Sequence, residues 1–428
     1  MVLVGGVSPR VGGSPNVLKA RAVADELREA SPDAVILGLS LKDRGAILPS
    51  GHKPTATVWL DIDTGELTTS TYYSDKLPKW AESVSADIKR RVSEPWDLRD
   101  PQWLASHVLG PDDAPGEPPE RRTFPHDLAK HYPIGAAIRL HPASDGMLVD
   151  LALAGIEAEY KIGKPLLVTL SFSTNDLIGH AFGPDSWEQW DELRRLDEQL
   201  ARFFGELDKR FGADGYAVLL SADHGVSPMP EAQKLRAECA ADAKPDPWER
   251  ACSYGARMSR AKLALDVSAI AKDLLGDGAW TFGLVGAFVA LTPEGRAHRA
   301  ELVSTIIAKL EANPDVAHAI DVATLPAECP QSPTNLEGLV CNAYPPGSSG
   351  DIMVVLKPGV SYGDSYGASH GMPYTYDLTV PFLVRAPGKV KPGVVVEDVL
   401  PFATFTHTLA HLLGVKAPET AFAGAVIQ

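Results

Sequence analysis

Two short apolar runs that end abruptly on acidic and imidazole side chains constrain this chain more than any other feature. Residues 168–173 run into Asp176 and His180, and residues 218–221 run into the adjacent pair Asp223 and His224. Between them Trp190, Leu193, Leu196, Leu200, Phe203, Phe204, Leu207 and Phe211 recur at helical spacing. A strand, a crossover helix and a second strand predict a parallel βαβ unit. In such sheets chemistry gathers at the carboxyl ends of the strands, where both motifs fall. The expectation is an α/β fold with two Asp/His pairs at one sheet edge.

A carboxylate and an imidazole four residues apart, plus a directly bonded Asp-His, match what zinc asks for: nitrogen and oxygen ligands, with a coordination position left open at a catalytic site. The competing reading makes Asp176 and Asp223 helix caps and the histidines surface turns. Either motif alone leaves the two readings evenly balanced; together they favour the metal. A third element, Tyr366 to Asp377, brings His370 between Ser369 and Gly371, small neighbours that let a backbone approach an ion closely. Alone His370 reads as a loop histidine; beside Asp176 and His180 it completes a three-ligand set. On the residues alone, Lys42-Asp43-Arg44 is a solvated charged turn after an apolar strand at 34–41.

The order Asp176-x-x-Gly179-His180-x-x-Gly183, then Ala222-Asp223-His224-Gly225, then Ser369-His370-Gly371 before Val380-Pro381, resembles the alkaline phosphatase superfamily. Within it the chain is most similar to the phosphate-irrepressible zinc alkaline phosphatases, near the nucleotide pyrophosphatase/phosphodiesterases. The runs 40–52 and 69–80 carry that finer likeness. The resemblance implies an alkaline-phosphatase-like core, a mainly parallel sheet flanked by helices, and two zinc ions. Asp176, His180 and His370 would hold one ion; Asp223 and His224 would contribute to the other. Lys42 and Arg44 would reach the phosphoryl oxygens. The implied activity is hydrolysis of phosphoric monoesters on small phosphorylated molecules, with phosphodiester or nucleotide pyrophosphate cleavage as the alternative. The family pattern also places a zinc-binding Asp, a Thr or Ser nucleophile and an Asn before the Lys-Asp-Arg segment. None of these is found in the forty or so residues that precede it here, since Asp25 sits in a helical pattern and Asp33 in a turn. The expectation is therefore an N-terminally incomplete chain, with an inactive metal-binding remnant as a further alternative.

Length and charge fit this frame. The 428 residues supply a large core and leave room for two or three domains. The divisions expected are 1–253 for the incomplete core, 254–345 for an inserted α+β subdomain poor in ligands, and 346–428 for a return to the core. A net charge of −15 argues against a broad nucleic-acid footprint. No apolar run reaches the roughly 18 residues of a membrane span, and the opening residues lack signal-peptide features. The resemblance nonetheless implies export to the periplasm or medium. Cys239, Cys252, Cys329 and Cys341 form two local pairs, read as two loop disulfides, with four free thiols as the alternative. Residues 80–131, rich in Trp and Pro, predict an ordered loop over the site. His407 and His411, four apart on a closing helix, lack a third ligand and read as a helix-face coincidence.

Overall fold

The computed structural model describes residues 13–108, 110–233, 255–331, 333, 335–344 and 349–428. A single 3-10 turn precedes α1 (Val23–Ala30), β1 (Val35–Ser40), α2 (Asp43–Ser50), β2 (Ala56–Asp61) and β3 (Glu66–Thr68). Five helices follow: α3 (Lys79–Arg91), α4 (Pro101–His107), α5 (Leu128–His131), α6 (Ile134–Leu140) and α7 (Ala143–Glu159). Next come β4 (Leu166–Ser171), α8 (Thr174–Phe182), α9 (Trp187–Phe211), β5 (Val218–Leu220) and α10 (Pro230–Gln233). Then β6 (Ala256–Met258), α11 (Arg260–Leu275), β7 (Thr281–Val285), β8 (Phe288–Leu291), α12 (Pro293–Ala297), α13 (Arg299–Glu311) and β9 (Val316–Asp321). The chain closes with α14 (Leu336–Ala343), β10 (Ile352–Leu356), β11 (Val360–Tyr362), α15 (Thr375–Leu378), β12 (Leu383–Arg385) and α16 (Ala403–Leu413).

The first sheet runs β3-β2-β1-β4. β1 is parallel to both β2 and β4, and β3 returns antiparallel on β2 as a hairpin. β1 is a continuous apolar run because both its faces are covered. Leu37 and Leu39 join Met147, Leu148 and Leu151 of α7 in one core, while Ile36 packs with Ala24 and Leu27 of α1 and Leu409 of α16. Gly38 is required by the close approach of α2, because a Cβ there would stand 2.6 Å from the Ala46 carbonyl oxygen.

A second sheet, β7-β8-β10-β9, is antiparallel throughout. Val267 and Ala271 of α11 and Leu302 and Ile306 of α13 share one core with the fully buried β10. This sheet draws strands from both sides of residue 345. Cys329 and Cys341 form a disulfide beside it; Cys239 and Cys252 lie outside the described residues.

Two expectations are corrected. β5 does not lie parallel beside β4: it pairs antiparallel with β12, Leu383 opposite Leu220 and Arg385 opposite Val218. Among the described residues no ladder joins β4 to β5. Nearness in sequence suggested nearness in the sheet, whereas the backbone groups of β5 find their partners in a segment some 160 residues later, a need that local pattern does not reveal. Residues 80–131 are not a loop but carry α3, α4 and α5. Pro101 takes the first helical position after the Asp100 cap, and Asp127 caps α5. Trp96 is buried with its indole N–H donated to Asp191 Oδ2 at 2.8 Å, while Trp103 is half-buried.

Candidate metal centre

The site begins where β1 and β4 end level with one another, Ser40 opposite Ser171. The hydroxyls of Ser40 and Ser173 lie 3.1 Å apart across that end. Lys42 caps the start of α2, and Asp176 lies in the first turn of α8. With the strand ends in register, the Lys42 ammonium reaches Asp176 Oδ2 and forms an ion pair. His180, one turn on along α8, stands on the same face as Asp176. His370 arrives on the loop between β11 and α15. One ligand atom from each of Asp176, His180 and His370 lies within 4.8 Å of the others.

The separations suit an ion among them. Ligands at about 2.0–2.1 Å from a tetrahedral zinc stand roughly 3.3 Å apart. His180 Nε2 is 3.4 Å from Asp176 Oδ1, and His224 Nε2 is 3.6 Å from the same oxygen. The tautomers agree: His180 Nδ1–H donates to the Ala368 carbonyl at 2.8 Å, and His224 Nδ1–H to the Gly225 carbonyl at 2.9 Å. Carbonyls only accept, so each ring carries a proton on Nδ1, and in the neutral ring the lone pair is then on Nε2, the atom facing Asp176. Burial opposes ionisation of Asp176, but the Lys42 ammonium, with help from His180 and His224, holds its carboxyl below the usual range. Burial, with His224 and His180 beside it, lowers His370 to about 4. The donor set is thus a carboxylate held ionised, His370 kept neutral by burial, and a second imidazole, His180, whose Nε2 faces that carboxylate, the chemistry a divalent metal needs.

The structure brings Asp176, His180, His370, His224 and Lys42 together. Asp223 reaches His224 Nε2 only at 3.7 Å, with its side chain 85% exposed. Arg44 is exposed in the first turn of α2. Asp377, in the same sequence stretch as His370 but given no role by sequence, links the two loops. Its Oδ2 accepts Met372 N–H at 2.8 Å and its backbone carbonyl accepts Gly225 N–H at 2.7 Å. Burial raises its carboxyl to about 7.

The fold and this site together define an enzyme of the alkaline phosphatase superfamily, a phosphoric ester hydrolase. More closely, the chain belongs to the type I phosphodiesterase / nucleotide pyrophosphatase family, whose model matches residues 33–377. It is 30% identical to alkaline phosphatase PafA of Elizabethkingia meningoseptica over 445 residues, 98% of this chain and 76% of that protein. It is equally identical, at 30% over 447 residues, to a Myroides odoratus protein named calcium-transporting ATPase, over 97% of this chain and 76% of the relative. The crystal structure of wild-type PafA superposes with a TM-score of 0.85 at 27% identity, over 99% of this chain and 80% of that one. Among the described residues no helix is long and apolar enough to cross a membrane.

Proposed function

We propose that this chain is a metal-dependent phosphoric monoester hydrolase whose first ion is zinc held by Asp176, His180 and His370. The observation that carries the reading is the convergence of those three ligand atoms within 4.8 Å, in a fold shared with an alkaline phosphatase. Asp223 and His224 contribute to a second ion. When bound, such ions supply Lewis-acid stabilisation of the attacking and leaving oxygens of phosphoryl transfer. The chain's own cations do the rest: Lys42, at the end of β1, and Arg44, two positions on, neutralise charge on the non-bridging oxygens, where most phosphoryl-transfer catalysis lies. A second PafA structure carries substitutions of a Thr, an Asn, a Lys and an Arg, the last two also two positions apart. The proposal assigns no nucleophile to this chain.

Two cations favour monoesters, because a monoester dianion has more charge to meet. Diester cleavage is the second reading, favoured by the name of the matching family. The Cys329–Cys341 disulfide supports an oxidising compartment, periplasm or medium. The test loads purified chain with zinc and compares release from p-nitrophenyl phosphate and methyl p-nitrophenyl phosphate, for wild type and Arg44→Ala. Monoester turnover that falls further than diester turnover in the variant supports the assignment. Equal loss on both substrates overturns the monoester preference, and absence of zinc uptake overturns the metal site.

A further inference from the structure

We propose that Arg257 is a positioning residue for the metal centre: it fixes the loop that delivers His370 and, through that loop, the tautomer of His180. The inference rests on reading Asp176, His180 and His370 as metal ligands, and it concerns a residue outside that set.

Arg257 lies in β6, opposite Ser361 of β11, the strand that feeds the His370 loop. Its guanidinium is largely buried, with a side-chain exposure of 10%. Nε and Nη2 donate to Glu231 Oε1 and Oε2 at 2.8 and 2.7 Å, a bidentate fork. Nη1 donates at 3.0 Å to the carbonyl of Gly367, three residues before His370. Glu231 is in α10, which follows the loop leaving His224. One planar cation thus ties the segment after the Asp223-His224 pair to the segment before His370.

The tie matters because Gly367 and Ala368 sit directly on His180. Ala368 N–H donates to the His180 carbonyl at 3.0 Å, and His180 Nδ1–H donates back to the Ala368 carbonyl at 2.8 Å. The second bond turns His180 Nε2 toward Asp176. The approach is so close that a Cβ on Gly367, at φ +79°, would stand 2.3 Å from the His180 carbonyl oxygen. Gly367 N–H is itself anchored on the Gly116 carbonyl at 2.8 Å. The peptide before Gly367 is thus held by Gly116 and the peptide after it by Arg257, and the second of these carries the Ala368 N–H that meets His180. Groups beyond the ligands that orient them typically change metal affinity about 10- to 100-fold when removed. Lysine cannot replace Arg257 fully, since a single ammonium cannot span a carboxylate fork and a carbonyl together.

The test measures zinc affinity by competition with a chromophoric chelator, and the visible spectrum of the cobalt-loaded chain, for wild type, Arg257→Met, Arg257→Lys and Glu231→Gln. Thermal unfolding of the metal-free proteins is followed in parallel. Expected are a zinc affinity about 10- to 100-fold weaker in Arg257→Met, a partial recovery in Arg257→Lys and an altered cobalt spectrum, with the metal-free variants melting lower than wild type but folded at the assay temperature. If Arg257→Met does not fold, Arg257→Lys and Glu231→Gln stand in for it, each expected to bind more weakly than wild type. Wild-type affinity and spectrum in the folded variants overturn the positioning role. A wild-type chain that takes up neither metal overturns the parent reading of the site instead, so the two failures are distinct.

Discussion

His224 lies face to face with His370, ring centroids 3.4 Å apart and planes 14° from parallel. Two imidazolium ions do not stack at that distance, and burial together with the neighbouring imidazoles keeps His370 neutral down to about 4. The stack therefore sets a neutral His370 against His224, and of the two only His370 falls within the three-ligand set. If His224 serves a second ion, wild-type chain dialysed against zinc holds two ions and His224→Ala holds one. Elemental analysis of the dialysed proteins decides this; two ions in the variant would sever His224 from metal binding.

The ion pair between Lys42 and Asp176 sets a second expectation. Lys42 neutralises the Asp176 carboxylate and, in the proposed role, substrate oxygens. Lys42→Met removes a charge stabiliser of the kind whose loss costs about 10²- to 10³-fold in turnover. It also leaves Asp176 without the ammonium that lowers its pKa, so in the metal-free chain its carboxyl takes up a proton at higher pH. Turnover of the zinc-loaded proteins checks the first part, and carboxyl titration of the metal-free proteins the second. Unchanged turnover would remove Lys42 from the chemistry.

Much of the site was legible because its chemistry is concentrated at strand ends. The apolar run at 34–41 predicted the strand that is β1, and Asp176 and His180, four apart after an apolar run, predicted a ligand pair at a strand end. Lys42 was not legible from residues alone: it reads as a solvated turn, and only the level ends of β1 and β4 show that it meets Asp176. The pairing of β5 with β12 was hidden because both strands are three residues long and only partly buried, so neither has a periodicity to read. Arg257 was hidden for a different reason. Its partner is a backbone carbonyl 110 residues away, and carbonyls leave no mark in sequence.

Gly367 gives a third prediction that separates backbone strain from ligand chemistry. Its φ of +79° already disfavours a side chain, and the Cβ of Gly367→Ala would meet the His180 carbonyl oxygen at 2.3 Å. The backbone strain alone costs of order 1–3 kcal/mol, and relief of the clash requires the 367–368 segment to lift off α8. Gly367→Ala should lower the denaturation midpoint and weaken zinc binding together, although every ligand remains. Gly163→Ala, before the start of β4 and away from the ligands, is the control: its φ is +80°, but nothing lies within 4 Å of the added Cβ. It should lose stability without the clash. Equal zinc affinity in both variants would show that contact with His180 is not what matters.

His141 supplies the pH prediction, away from the metal. Its Nδ1 accepts Ala143 N–H at 3.1 Å at the start of α7, and its Nε2–H donates to the Glu94 carbonyl at 3.3 Å. Protonating Nδ1 would break the first of these bonds. Burial is the main reason that its pKa falls from 6.5 to about 4, with Arg195 adding to it against the Glu94 carbonyl. Because the folded pKa is the lower one, the unfolded chain takes up the proton first as pH falls. Stability from this group is complete above about 6.5, declines between 6.5 and 4, and stops declining below that window. The full loss is about 3 kcal/mol. His141→Asn keeps an oxygen acceptor for Ala143 N–H but has nothing to titrate. At pH 7 the variant should be the less stable protein, having lost ring packing and the Glu94 contact. By pH 4 the gap should narrow by about 3 kcal/mol. Buried His126, also lowered to about 4, titrates identically in both proteins and cancels in the difference. Urea denaturation of the pair at pH 7, 5.5 and 4 measures it, and a gap that stays constant across the three would mean that His141 does not carry this acid sensitivity.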